Sequence, residues 1–146
     1  MAEPITVILE REWPGEEPEE LRSVLVDRHV LVKRRWRVRI SADLELVYAS
    51  SAATKHLGLW LGSDGHCYQV RQGEEEVVTI PMPSSYGMAA KLGWYLGNQH
   101  LAVEVREKEI VLESVHTLTR SLDRIGIPYQ IKNEVFLCAL HSSHKH

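Results

Sequence analysis

Histidine is the residue type through which this chain offers chemistry. Eight occur in 146 residues, and three of them, His141, His144 and His146, fall in the last six positions. Neutral imidazole suits nickel, copper or zinc better than magnesium or calcium, and histidine-rich ends bind such ions. In an extended segment the i, i+2 spacing of His144 and His146 points both rings to one side. The same HSSHKH also reads as a solvated terminus. His100 closes the stretch YLGNQH, just past the expected end of a helix and before an alternating apolar run. That place fits a ligand, a capping group or a core residue that satisfies a local hydrogen bond. In a dry core the ring needs a partner, and near a two-fold axis it meets its own symmetry mate, giving two imidazoles from one position. His116 falls in the first turn of a second expected helix, where the positive end of the helix dipole favours a neutral ring. The plainer reading of His116 is an exposed helix residue. His66-Cys67 sets an imidazole beside a thiol, but structural zinc sites use four spaced ligands and no second pair lies nearby.

The elements that must hold these side chains change character near Glu76. Before it the chain reads as β. Val7-Ile8-Leu9 opens a strand, and EREWPGEEPEE, with Pro14, Gly15 and Pro18 among acids, reads as an exposed loop. Trp36, Val38 and Ile40 alternate with Arg35, Arg37 and Arg39 at the period of a half-buried strand. Leu44–Tyr48 follows a turn, and a further strand pair surrounds Gly62-Ser63-Asp64-Gly65. After Glu76, Val77–Met82 reads as a strand and the serines after Pro83 as an N-cap. Ala89, Leu92 and Leu96 then recur at helical spacing up to Gly97, which suits the left-handed C′ position. Leu101, Val103 and Val105 alternate as a strand, Glu107-Lys108 turns into Ile110–Leu112, and Ser114 is placed to cap a helix carrying Val115, Leu118, Leu122 and Ile125. Gly126 and Pro128 stop it before a last strand, Tyr129–Leu137. The order β-α-β-β-α-β is the ferredoxin-like, split βαβ pattern. The expected fold class is therefore α+β: a β-rich domain over residues 1–78, a ferredoxin-like domain over 79–140 and a histidine-containing tail over 141–146.

Composition narrows the function. The chain is 44% hydrophobic and 25% charged, an ordinary globular balance, and its formal charge of −3 provides no global field to attract nucleic acid or acidic lipid. No stretch approaches the roughly 18 apolar residues of a membrane span, and MAEPITVILERE lacks the pattern of a secretory signal. Cys67 and Cys138 form no CxxC pair and suit a reducing cytosol. The run Lys33-Arg34-Arg35 with Arg37 and Arg39 fits a protein partner better than RNA, with the acids of residues 10–20 available to neutralise it. There is no phosphate-binding lysine loop, no GxSxG elbow and no HExxH, and the glutamates at 74–76, 107 and 109 sit in expected turns. No enzyme is expected.

AAKLGWYLGNQH, followed by VHTLTRSLDRIG, resembles the urease accessory protein E family, the nickel metallochaperones of urease maturation. That family's motif runs helix, Leu-Gly-Asn-Arg-His, β-hairpin, then Asp-His-Val-Leu. Here it stands as Leu96-Gly97-Asn98-Gln99-His100 and Val115-His116-Thr117-Leu118, within a match over about residues 84–126. Gln99 replaces the usual arginine, Tyr95 stands where many members have a second histidine, and Val115 replaces the aspartate that would support His116. The resemblance implies a cytoplasmic homodimer joined through its C-terminal domains, with paired His100 rings binding Ni(II) across the interface. It implies that His144 or His146 completes the coordination and that His116 is auxiliary. Zn(II) and Cu(II) are the in vitro competitors. The first domain would dock on the urease accessory GTPase and the urease apoprotein complex, with neither nucleic acid nor membrane involved. Because imidazole must lose its proton to bind metal, affinity should fall as pH drops through about 6.5. The alternative is a ferredoxin-like interaction or regulatory module with no metal role, in which His100 bonds only backbone.

Overall fold

A computed structural model describes residues 3–138, in a chain that divides into two compact units, Met1–Gly73 and Glu74–His146. The architecture is mixed α+β, rich in strands and poor in helices. The first unit contains strands β1 (Ile5–Glu12) and β2 (Arg22–Val26), then a one-turn helix α1 (Arg28–Leu31). Strands β3 (Arg35–Arg39), β4 (Leu44–Ala49), β5 (Gly58–Gly62) and β6 (Cys67–Gln72) follow. They form one six-stranded sheet in the order β2-β6-β5-β1-β4-β3. β1 runs parallel to β4 and β2 parallel to β6, while the remaining neighbours are antiparallel.

The alternation expected of β3 is what packs the sheet. Trp36 is buried while Arg35 and Arg37 stay exposed. On the neighbouring strand Tyr48 stacks on Trp36 with ring centroids 5.4 Å apart and meets Trp60 edge-on at 5.0 Å, geometries that aromatic quadrupoles favour. Val7, Leu9, Val24, Val26, Leu46 and Val70 complete this core. One expectation fails here. Glu10, Arg11 and Glu12 belong to β1 and not to a loop: a register shift between Leu9 and Arg11 lets the strand continue along β5 with exposed side chains. Backbone pairing through a bulge holds the strand where side-chain periodicity has ended.

The second unit contains β7 (Glu75–Pro81), α2 (Tyr86–Gly97), β8 (Val103–Val105), β9 (Glu109–Glu113), α3 (His116–Ile125) and β10 (Gln130–Glu134). Its four strands lie in the order β10-β7-β9-β8, each antiparallel to its neighbour. Val78 and Ile80 of β7 join Ile110 and Leu112 of β9, Leu92 and Leu96 of α2 and Leu118 and Leu122 of α3 in one core. Alternation sends Val77 and Val111 to the opposite face of the sheet. That face is sealed by the chain after β10: Phe136 is fully buried against Val77 and Val111.

Candidate metal centre

α2 starts as its serines predict. Ser85 Oγ accepts the Met88 N–H at 3.2 Å, the N-cap bond that satisfies an orphan donor of the first turn. Its other end departs from expectation. Gly97 is still helical and Asn98 is a right-handed C-cap; the left-handed residue is His100, at φ 56°. The chain reaches it through a tightened turn in which Gln99 N–H donates to the Leu96 carbonyl at 3.1 Å and His100 N–H to the Gly97 carbonyl at 3.4 Å. Such i to i−3 bonds commonly close helices. Left-handed backbone crowds a Cβ, and histidine is among the side chains enriched there. His100 is exposed, and its ring makes no hydrogen bond or ion pair among the described residues. It is therefore neither a core residue nor a cap.

His116 is the first residue of α3 and is exposed. Ser114 does not cap that helix. Its hydroxyl donates instead to Glu76 Oε1 at 2.7 Å, a bond across to β7. The N-cap is Val115, which offers no side-chain acceptor. The far end of α3 follows the sequence: Gly126 takes a left-handed φ of 74° and Ile127 N–H returns to the Leu122 carbonyl at 3.0 Å.

Both histidines flank the same hairpin. Val103 pairs with Leu112 and Val105 with Ile110, so continuing that register past the strand ends brings His100 level with Val115. His100 and His116 thus lie at the open end of the β8–β9 hairpin. Ala102, two residues after His100, and Cys138, the last described residue, both pack against the Phe136 cluster. His144 and His146, like His141, lie outside the described residues. At the closed end of the hairpin Arg106 bonds Glu134 at 2.6 Å, Glu109 at 2.9 Å and Glu104 at 3.0 Å. The Glu104 bond, ahead of the others, pushes the guanidinium above its already high range. Glu109 is thus a structural partner of Arg106.

His66-Cys67 is no ligand pair. Cys67 is buried, and burial pushes its thiol up, away from the thiolate that binds metal. The His66 ring faces an Arg22 guanidinium nitrogen at 3.2 Å. Beside it Tyr68 donates to Asp64 at 2.6 Å. Burial alone would raise the Asp64 carboxyl, but the bonds from the Tyr68 hydroxyl and the His66 N–H outweigh it and hold the group low. The left-handed position of His100 and the Phe136 seal are the two features the sequence did not announce.

Residues 75–146 match the family model described as the C-terminal domain of the UreE urease accessory protein. Similar curated proteins include the urease accessory protein UreE of Agrobacterium fabrum, 24% identical over 133 residues that cover 91% of this chain and 82% of that protein. That of Paracoccus denitrificans is 25% identical over 126 residues, 86% of this chain and 77% of its own. That of Bacillus cereus is 26% identical over 129 residues, 86% of this chain and 85% of its own.

Proposed function

Because the chain belongs to the UreE family of urease accessory proteins, which serves urease maturation and is not catalytic, we propose that it is a nickel-binding metallochaperone that delivers Ni(II) for assembly of the urease active site. Nickel is its cargo. The observation that carries this reading is His100: an exposed ring without a partner among the described residues, held at a left-handed position where most residue types are disfavoured. Strained backbone at an exposed, chemically capable side chain is a frequent mark of a functional position. A resident fold contact would bond the ring, and none among the described residues does.

The proposed site is completed by a second copy of the chain and by the tail. The exposed residues Tyr86, Ala90, Gly93 and Gly97 recur along one face of α2 and lead toward His100. A Cβ built on Gly93 or Gly97 would meet nothing within 4 Å, so this face has room for the close approach of a partner helix. A homodimer through residues 79–140 sets two His100 rings on one Ni(II). From Cys138 to His146 is eight residues (146 − 138), a reach of at most about 28 Å at ~3.5 Å per residue. His144 and His146 can therefore supply further ligands, with His116 as an auxiliary site at the same end of the hairpin. The strand order β10-β7-β9-β8 supports a ferredoxin-like frame for this domain. No helix among the described residues is long and apolar enough to cross a membrane, and the proposal places the protein in the cytoplasm. There residues 1–78 dock on the urease accessory GTPase and the urease apoprotein complex.

Native mass spectrometry of the protein titrated with Ni(II) tests this, beside His100→Ala and a chain ending at Leu140. One tight nickel per dimer is expected, lost in His100→Ala and weakened by truncation. Unchanged uptake by His100→Ala would remove His100 from the site.

A further inference from the structure

Among the described residues, strand order leaves β3 at an edge of the first sheet, paired on one side only, with β4. Its bonds to that neighbour fix which backbone groups are spent. Ser50 N–H donates to the Arg34 carbonyl at 3.0 Å and Ile40 N–H to the Leu44 carbonyl at 2.9 Å. In an antiparallel ladder these directions alternate along the strand, so residues 34, 36, 38 and 40 face β4. Arg35, Arg37 and Arg39 then turn their N–H and C=O groups to the free edge. The same three carry exposed side chains, because Trp36 and Val38 point into the core.

Two of the arginines are held in place. Arg37 pairs with Glu45 at 2.8 Å, and Arg39 donates to the carbonyls of Ser41 and Ala42 at 3.3 and 3.2 Å. The side chains of Arg34 and Arg35 make no hydrogen bond or ion pair among the described residues. With Ala49, Ser50 and Ser51 they line a recess of about 470 Å³. The acids of residues 10–20, which the sequence offers to neutralise them, form no ion pair with them among the described residues.

We propose that this edge is a docking site for an acidic, extended segment of a partner protein, which adds to β3 as a further strand and places a carboxylate in the recess of Arg34 and Arg35. Strand addition supplies main-chain bonds and leaves side chains to set specificity. Charged edges normally prevent sheets from pairing with themselves. Here a second copy would set arginine row against arginine row, while a strand alternating glutamate with apolar residues meets opposite charge at every exposed position. Single-stranded nucleic acid stacks its bases on exposed aromatic rings, and the aromatic of this strand, Trp36, is buried. The inference concerns the first unit alone, so it stands or falls separately from the nickel site.

The probe is a fluorescein-labelled octapeptide of alternating valine and glutamate, titrated with the full chain and followed by anisotropy. Saturable binding is expected, weakened about tenfold or more by Arg34→Glu or Arg35→Glu, as the loss of a charge-assisted bond implies. Alternate N-methylation of the peptide should weaken it about as much by removing edge hydrogen bonds. Both substitutions are at exposed, unbonded side chains, and circular dichroism confirms that the variants fold. Absence of binding would overturn the proposal, as would indifference to both substitutions. Equal binding of the N-methylated peptide would reduce the effect to charge attraction. Displacement by a thymidine oligonucleotide, or binding only by self-associated protein, would assign the edge to nucleic acid or to a second copy.

Discussion

Replacing His100 by glycine and by alanine separates what its backbone costs from what its ring does. Holding an L-residue in the left-handed region, here at φ 56°, costs about 1–2 kcal/mol. Glycine relieves that, but returns about 0.5–1 kcal/mol because its unfolded chain has more freedom to lose. The ring is exposed and unbonded among the described residues, so its removal forfeits little. His100→Gly should therefore stabilise the metal-free protein by about 0.5–1 kcal/mol. Alanine keeps the Cβ and with it the crowding, and should leave stability within about 0.5 kcal/mol of the parent. Both variants should lose the tight nickel. Urea denaturation of metal-free protein, followed through tryptophan fluorescence, measures the first quantity, and nickel titration of the same samples measures the second. If glycine destabilised by about 1 kcal/mol or more, the ring would be a fold contact and the reasoning would fail. Equal stability of the two variants would mean that the strain is not present. Parental nickel binding by either would dismiss the ligand.

Val115→Thr supplies the N-cap oxygen that α3 lacks while keeping a methyl group in Val115's partly buried place, and should raise stability by about 1 kcal/mol by denaturant titration. His56 Nδ1 accepts the Gln72 N–H at 2.9 Å, and burial, followed by the charge of Arg71, holds the ring below the usual histidine value. The unfolded chain then takes up the proton first, so this contribution is intact above about pH 6.5 and is lost as pH falls through the lower folded value. Urea midpoints should decline on acidification below that point, and His56→Gln, which keeps an acceptor but does not titrate, should flatten the decline. Phe136→Ala, which empties a fully buried site, should cost about 3–5 kcal/mol. If the tail contributes ligands, nickel binding by the folded fraction should also fall toward that of the chain ending at Leu140.

What could be read beforehand was local and periodic. The arginine–apolar alternation of β3 and the leucine spacing of α2 and α3 are burial patterns, and burial drives both elements. The Ser85 cap and the Gly126 stop were legible for the same reason, since each acts on a neighbouring backbone group. The errors arose where a distant strand competed. Ser114 looks like a cap until Glu76 of β7 takes its hydroxyl, and Glu10–Glu12 look like loop until β5 supplies backbone bonds. Gly97 looked like the left-handed stop because glycine adopts that conformation most easily; the helix ran on and closed through a tighter turn, passing the unusual φ to His100. His100 and His116 were legible as candidates by type and position, but their common place at one end of the hairpin depends on the β8–β9 register, which no single segment specifies. Phe136 carried no warning, because one aromatic after a strand does not reveal which sheet face it closes.

The seal made by Phe136 has a consequence for concentration. Whatever path residues 139–146 follow, they remain within about 28 Å of Cys138, eight residues at ~3.5 Å each. One imidazole confined to a sphere of that radius is present at about 20 mM, within the millimolar range expected of short tethers. If His144 and His146 ligate the metal as proposed, the covalent anchor makes their local molarity independent of how much protein is present, and a dilute solution offers the metal the same supply of tail imidazole as a concentrated one. Lengthening the tether would dilute that supply roughly as the three-halves power of its length.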